Sequence, residues 1–237
     1  MEKDLAEFVQ KLRDAAGKNL ESVILYGSSA SGEFQSKHSH LDILCVVERA
    51  DVARIEALQP AVEWWIGKGN PEPRVFTAEE LRRSADVFAI ELLDMKDRHK
   101  VLFGEDVLAD LTVPLRYHKL QVERELRTNS LRLRQTLLIA PKKARLGIMV
   151  ASVSSFVALF RHALIALGES PAANKREAVD RVAKLAACSP SGFHAVLDFR
   201  EGKRGEKEID ISGTIQSYVE LVEKVTNEVD RRLEEKS

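Results

Sequence analysis

The chain has only two cysteines in 237 residues, Cys45 and Cys188, and no Cys-x-x-C pair. That spacing excludes a disulfide framework or a zinc ribbon, and both thiols are expected to stay reduced. Seven prolines and twelve glycines are too few for a collagen-like or low-complexity chain. Aromatic residues make up 6%, which is sparse for a protein that stacks single-stranded bases. No sign of charge dominates: 36 Lys and Arg stand against 37 Asp and Glu, a formal net charge of -1. That excludes a uniformly basic nucleic-acid coat but leaves room for a local basic face. No apolar run is read as approaching the ~20 residues that span a bilayer. The opening MEKDLAEFVQKLRDAAG mixes charges throughout and has no secretory apolar core. The expectation is a cytoplasmic protein with no membrane partner.

Against these absences, 44% hydrophobic and 31% charged residues describe a globular chain long enough for one large domain or two small ones. Its two halves carry different patterns. In residues 4–16, Leu5, Phe8, Val9 and Leu12 recur at helical spacing, and Gly17 offers a stop. The β-branched runs Ser22–Tyr26 and Leu41–Val47 read as strands. Residues 51–66 read as a helix, and Arg74–Phe76 as a short third strand. Thr77 with Glu80 is a capping box, from which a helix is expected to run to about Met95. Lys100–Phe103 reads as one more short strand.

Beyond Pro114 the strand signals fade. Four helical stretches are expected at about 115–139, 143–167, 175–187 and 212–235, joined by short breaks, with Asn174 and Glu177 as a second capping box. This predicts an α+β chain: a mixed sheet with helices in residues 1–110, then an all-α antiparallel bundle in 111–237.

The segment that carries chemistry is Val23 to Val47, VILYGSSASGEFQSKHSHLDILCVV. A strand ends at Gly27, which lets the backbone turn sharply and approach a ligand closely. Ser28 adds a hydroxyl, and a first helical turn over Ser28–Gly32 would favour a phosphate. The next strand returns to the same end. Side-chain alternation puts His40 and Asp42 on one face and Leu41, Ile43 and Cys45 on the other, where Cys45 is expected to be a buried, unreactive thiol. Ser39 points away from His40 and Asp42, so a Ser-His-Asp hydrolase triad is excluded.

Gly27-Ser28, Ala30, Gly32-Glu33, Ser39 and Asp42 resemble the signature of the polymerase-β-type nucleotidyltransferases, in particular small bacterial members related to aminoglycoside nucleotidyltransferases. Residues 1–105 follow that pattern loosely, and the helical half is similar to the bundle that follows such domains. The resemblance implies that Gly27 and Ser28 hold the triphosphate of ATP or GTP. It implies that Asp42 binds Mg²⁺ or Mn²⁺, and that transfer of a nucleoside monophosphate goes to a hydroxyl of a small-molecule or protein acceptor. The family pairs two acids on one strand with a third on its neighbour. Here His40 stands in the first place and Asp42 in the second. Glu72, just before the third strand, is the one candidate for the third place. Neutral imidazole is a poor Mg²⁺ ligand. The alternative function is therefore an impaired relative that binds nucleotide or protein as a regulatory, antitoxin-like module.

His40 admits three readings: a solvated replacement, a lining of the nucleotide pocket, or a transition-metal ligand together with His38 and Asp42. Between Arg116 and Arg145, nine Lys and Arg face two acids, which reads either as a solvated face or as a surface for triphosphate, RNA or an acidic partner. No Arg precedes a His at the spacing of the ribonucleases that share such bundles, so Arg161-His162 is read as a helix-face or buried hydrogen-bonding pair. Trp64 and Trp65 are read as packing residues. A homodimer through the helical half is expected.

Overall fold

The computed structural model describes residues 2–30 and 41–234. The chain divides into two compact units, 1–115 and 116–237. In the first, α1 (Glu2–Ala16) leads into β1 (Leu20–Tyr26) and then β2 (Asp42–Val47). Next come α2 (Val52–Gly67), β3 (Arg74–Thr77), α3 (Ala78–Arg83), α4 (Ala89–Asp97) and β4 (His99–Gly104). The sheet order is β3-β2-β1-β4. β1 pairs antiparallel with β2 and β4, whereas β3 runs parallel to β2.

The strands read as apolar runs because both faces of the sheet are covered. On one face Val23, Leu25, Ile43, Cys45 and Val47 pack against Phe8 and Leu12 of α1 and Leu58 and Trp65 of α2. Phe8 and Trp65 stack with ring centroids 4.3 Å apart. On the other face Ile24, Leu44 and Val46 pack against Leu81 of α3 and Leu92 and Met95 of α4. Cys45 is fully buried, and desolvation pushes its thiol up to about 12.

The helix expected from Thr77 to Met95 is two helices. The capping box forms as read: Thr77 Oγ1 accepts from the Glu80 N–H at 3.1 Å and Glu80 Oε2 from the Thr77 N–H at 2.7 Å. The first helix stops where the Ser84 hydroxyl donates to the Glu80 carbonyl and the Ser84 carbonyl takes the N–H groups of Val87 and Phe88. A serine offers the backbone this alternative to continued helix.

The second unit holds five helices among its described residues, where four were expected: α5 (His118–Ile139), α6 (Arg145–Ala166), α7 (Lys175–Leu185), α8 (Ser191–Arg200) and α9 (Ile211–Glu234). The missed helix, α8, is short and follows Pro190. It packs closely on α9. A Cβ on Gly192 would lie 2.5 Å from the Tyr218 backbone nitrogen, and Phe193 stacks on Tyr218 with centroids 3.9 Å apart. The reading that no segment is long and apolar enough to cross a membrane fails for α6, which passes by length and composition. Val153, Phe156, Val157, Phe160 and Leu164 of that helix are buried in the unit's core. Of the Arg161-His162 pair, read as a helix-face or buried hydrogen-bonding feature, Arg161 is half-buried and His162 is 2% exposed, with its Nδ1 3.0 Å from Nε2 of the equally buried His118. The basic stretch is partly neutralised by α9, where Arg127 pairs with Asp230 at 2.8 Å and Arg134 with Glu223 at 2.6 Å.

Candidate functional site

The expected site lies at the end of the sheet where β1 stops. Gly27 takes a positive φ of +77°, which an L side chain adopts only at a cost. Its N–H donates to the Arg98 carbonyl at 2.9 Å, and its carbonyl accepts from the Ala30 N–H at 3.1 Å, closing a 3₁₀ turn over Gly27–Ser29. A Cβ placed on Gly27 would sit 3.5 Å from Asp42 Oδ2. The glycine backbone and the carboxylate are therefore neighbours, as the sequence reading required. Tyr26 pairs with Asp42 on β2 and with His99 on β4. His99 Nε2 lies 3.0 Å from Asp106 Oδ2, and that hydrogen bond holds the Asp106 carboxyl below its ordinary value.

The parallel β2–β3 register pairs Leu44 with Arg74 and Val46 with Phe76. Strand alternation then puts Arg74 on the face of Tyr26, Asp42 and Leu44. Burial raises the Tyr26 hydroxyl above its ordinary value. The Arg74 guanidinium opposes this through its charge and a hydrogen bond, while the charges of Asp42 and Glu91 add to it. The charges of Arg74, Asp42 and Glu91 thus all reach the Tyr26 hydroxyl. Arg74 was legible as a residue of the third strand, but its partner on β2 was not.

Glu72 is exposed and lines an apolar groove of about 320 Å³ with Ile55, Leu58 and Val62 of α2 and with Val75. Val75 points away from the Arg74 face. His40 lies outside the described residues, as do His38 and Ser39. Among the described residues no three of His, Cys, Asp and Glu gather as a metal group. Hard divalent cations want several anionic oxygens. The described residues therefore do not fit the two-metal arrangement that the resemblance implies.

No protein-family model and no curated protein matches the sequence. Solved structures do match. The spectinomycin adenyltransferase AAD(9) of Enterococcus faecialis, solved with ATP and spectinomycin, aligns over 96% of this chain and 99% of its own, with a TM-score of 0.60 and 14% identity. The fold is that of a polymerase-β-type nucleotidyltransferase. A mutant of the toxin-antitoxin pair MntA-HpeT and a toxin-antitoxin structure with AMP-PNP each align over 54% of this chain and 98% of their own. Their identities are 19% and 20%, and their TM-score of 0.34 does not define a shared fold. The nucleotidyltransferase fold here consists of the four-stranded sheet with its helices, followed by the helical region α5–α9.

Proposed function

We propose that this chain is a catalytically impaired nucleotidyltransferase relative that holds a nucleotide, ATP or GTP, at the end of β1 and acts as a regulatory, antitoxin-like module. The observation that carries this reading is the replacement of acids around Asp42. His40 stands in sequence where the first carboxylate is expected, and on β3 the residue sharing Asp42's face is Arg74. Gly27 and Ser28 would hold the phosphates at the strand-to-turn junction. The partners are the nucleotide and a protein, a second copy joined through the helical unit included. Transfer chemistry is the part of the ancestral function that this residue set supports least.

A second reading keeps the enzyme. Asp42 is retained against the Gly27 backbone, and with Glu72 it would hold Mg²⁺ or Mn²⁺ for transfer to a hydroxyl acceptor. Calorimetric titration of the wild-type chain with ATP and GTP, with and without Mg²⁺ or Mn²⁺, tests the nucleotide site common to both readings. Binding at micromolar affinity supports it. No heat with either nucleotide under any condition removes the site, and the scaffold is then one reused for protein contacts alone.

A further inference from the structure

The hairpin of α5 and α6 ends in an apolar tip with positive flanks. The two helices run antiparallel, with His118 meeting His162 at one end and the turn over 140–144 at the other. Beside that turn Leu138 is 85% and Ile139 84% exposed. Leu131, 55% exposed, precedes Leu138 by two helical turns on one face, and the exposed Arg132 precedes Ile139 in the same way. Single apolar residues are ordinary on a surface, but two adjacent ones at a helix end, with a third on their face, form a patch. Pro141, Lys142 and Lys143 carry the exposed chain over the turn. From 126 to 168 the chain holds seven Lys and Arg and no Asp or Glu. Arg127 and Arg134 are neutralised by Asp230 and Glu223 of α9, whereas Arg132, Lys142 and Lys143 form no ion pair among the described residues.

We infer that this tip is a docking site for an anionic lipid surface, with Leu138 and Ile139 entering the acyl boundary and Arg132, Lys142 and Lys143 meeting the headgroups. The two halves of the patch select that occupant together. Unpaired cations are drawn to anionic headgroups, and adjacent apolar side chains gain by leaving water. A nucleic acid would match the cations and leave Leu138 and Ile139 exposed. A second copy meeting the tip across a two-fold axis would set the same cations against each other. A lipid surface takes both parts at once, as it does with amphipathic interfacial segments. The apolar residues of α6 stay in the core, so the contact is peripheral. It revises the expectation of no membrane partner at this one surface, and it is independent of the nucleotide reading.

The test is flotation of the purified full chain with vesicles of phosphatidylcholine alone and of equal parts phosphatidylcholine and phosphatidylglycerol. The tip variants are Leu138→Ser with Ile139→Ser, and Lys142→Glu with Lys143→Glu. Arg204→Glu with Lys207→Glu, two exposed cations of the same unit, is the control of equal charge change, and circular dichroism of each variant establishes folding. The expected result is binding of wild type to the mixed vesicles only. Each tip variant should weaken it at least about tenfold, because each removes two contacts with the surface, and the control should stay within about threefold of wild type. Equal flotation with both vesicle types, or a control that loses as much as the lysine pair, overturns the inference. So does a serine pair that binds like wild type, since the contact is then surface charge without insertion. No flotation of wild type with the mixed vesicles also overturns it. A concentration-dependent dimer in size-exclusion chromatography, lost in the serine pair, would then assign the tip to a contact between copies.

Discussion

Tyr26 and Asp42 stand opposite each other across the β1–β2 ladder, and Arg74 joins their face from β3, in register with Leu44 two residues further along β2. The arrangement places a cation on the face of Asp42, on the strand where the resemblance to nucleotidyltransferases implies a third carboxylate. It also explains why one acid restored alone should not restore a metal site. His40→Asp by itself is expected to leave ATP binding no stronger in Mg²⁺ than in EDTA. His40→Asp combined with Arg74→Glu is expected to gain Mg²⁺ dependence of at least about tenfold, because two carboxylates are then added to the sequence positions where the resemblance implies them. Calorimetry of the single and double variants in EDTA and in Mg²⁺ checks this, and Mg²⁺ dependence in His40→Asp alone counts against it.

Gly27→Ala tests the turn. At φ +77° a Cβ costs about 1–2 kcal/mol, and here it also lies against Asp42 Oδ2. The expected outcome is a melting temperature lower by several degrees and weaker ATP binding. Unchanged stability and affinity would mean that the turn has no such constraint.

The helical unit offers a matched glycine pair. Gly192→Ala puts a methyl 2.5 Å from the Tyr218 backbone nitrogen and 2.7 Å from the Thr214 carbonyl oxygen. It is expected to destabilise by about 1–3 kcal/mol, because α8 and α9 must move apart. Gly147→Ala, inside α6 with nothing within 4 Å of the new Cβ, is expected to be neutral or to stabilise by up to about 1 kcal/mol. Urea denaturation of the two variants separates close approach from helix propensity.

Acid sensitivity of α9 follows from Glu228. A hydrogen bond from Arg231 lowers its carboxyl below the ordinary value of 4.5, burial opposes that shift, and Arg232 reinforces it. The folded state therefore binds this proton less readily than the unfolded chain. The contribution is fully present above 4.5 and is lost as pH falls through the lowered value. Glu228→Gln is expected to cost about 0.5–1 kcal/mol at neutral pH and little once the pH is below the lowered value. Melting curves of wild type and variant across that range check the convergence, and a constant difference would contradict it.

Much of the fold is legible in the chain because its signals are local. The β-branched runs at 22–26 and 41–47, the Thr77 capping box and the long apolar pattern of α6 each specify an element without reference to the rest. Two elements were misread where local signals compete with context. Ser84 ends a helix that the periodicity alone would continue, and α8 is a ten-residue helix stabilised by its contact with Tyr218. The candidate site divides the same way. Gly27 and Asp42 follow from strand–turn–strand spacing. Arg74 needs the parallel register of β3 on β2, which is a long-range pairing with no mark in the sequence. Glu72 was reached by elimination, and the structure places it in the groove beside α2.

The central claim is that this site holds a nucleotide and does not transfer it. The most direct measurement is incubation of the purified chain with α-³²P-labelled ATP or GTP, Mg²⁺ or Mn²⁺ and a cell lysate as the source of acceptors. Label is then followed into every protein and small-molecule fraction, and pyrophosphate is assayed in parallel. The account predicts no label transfer and no pyrophosphate above the level of a lysate without the chain. Metal-dependent labelling of any fraction, lost in Asp42→Asn, would contradict it and establish a working transferase.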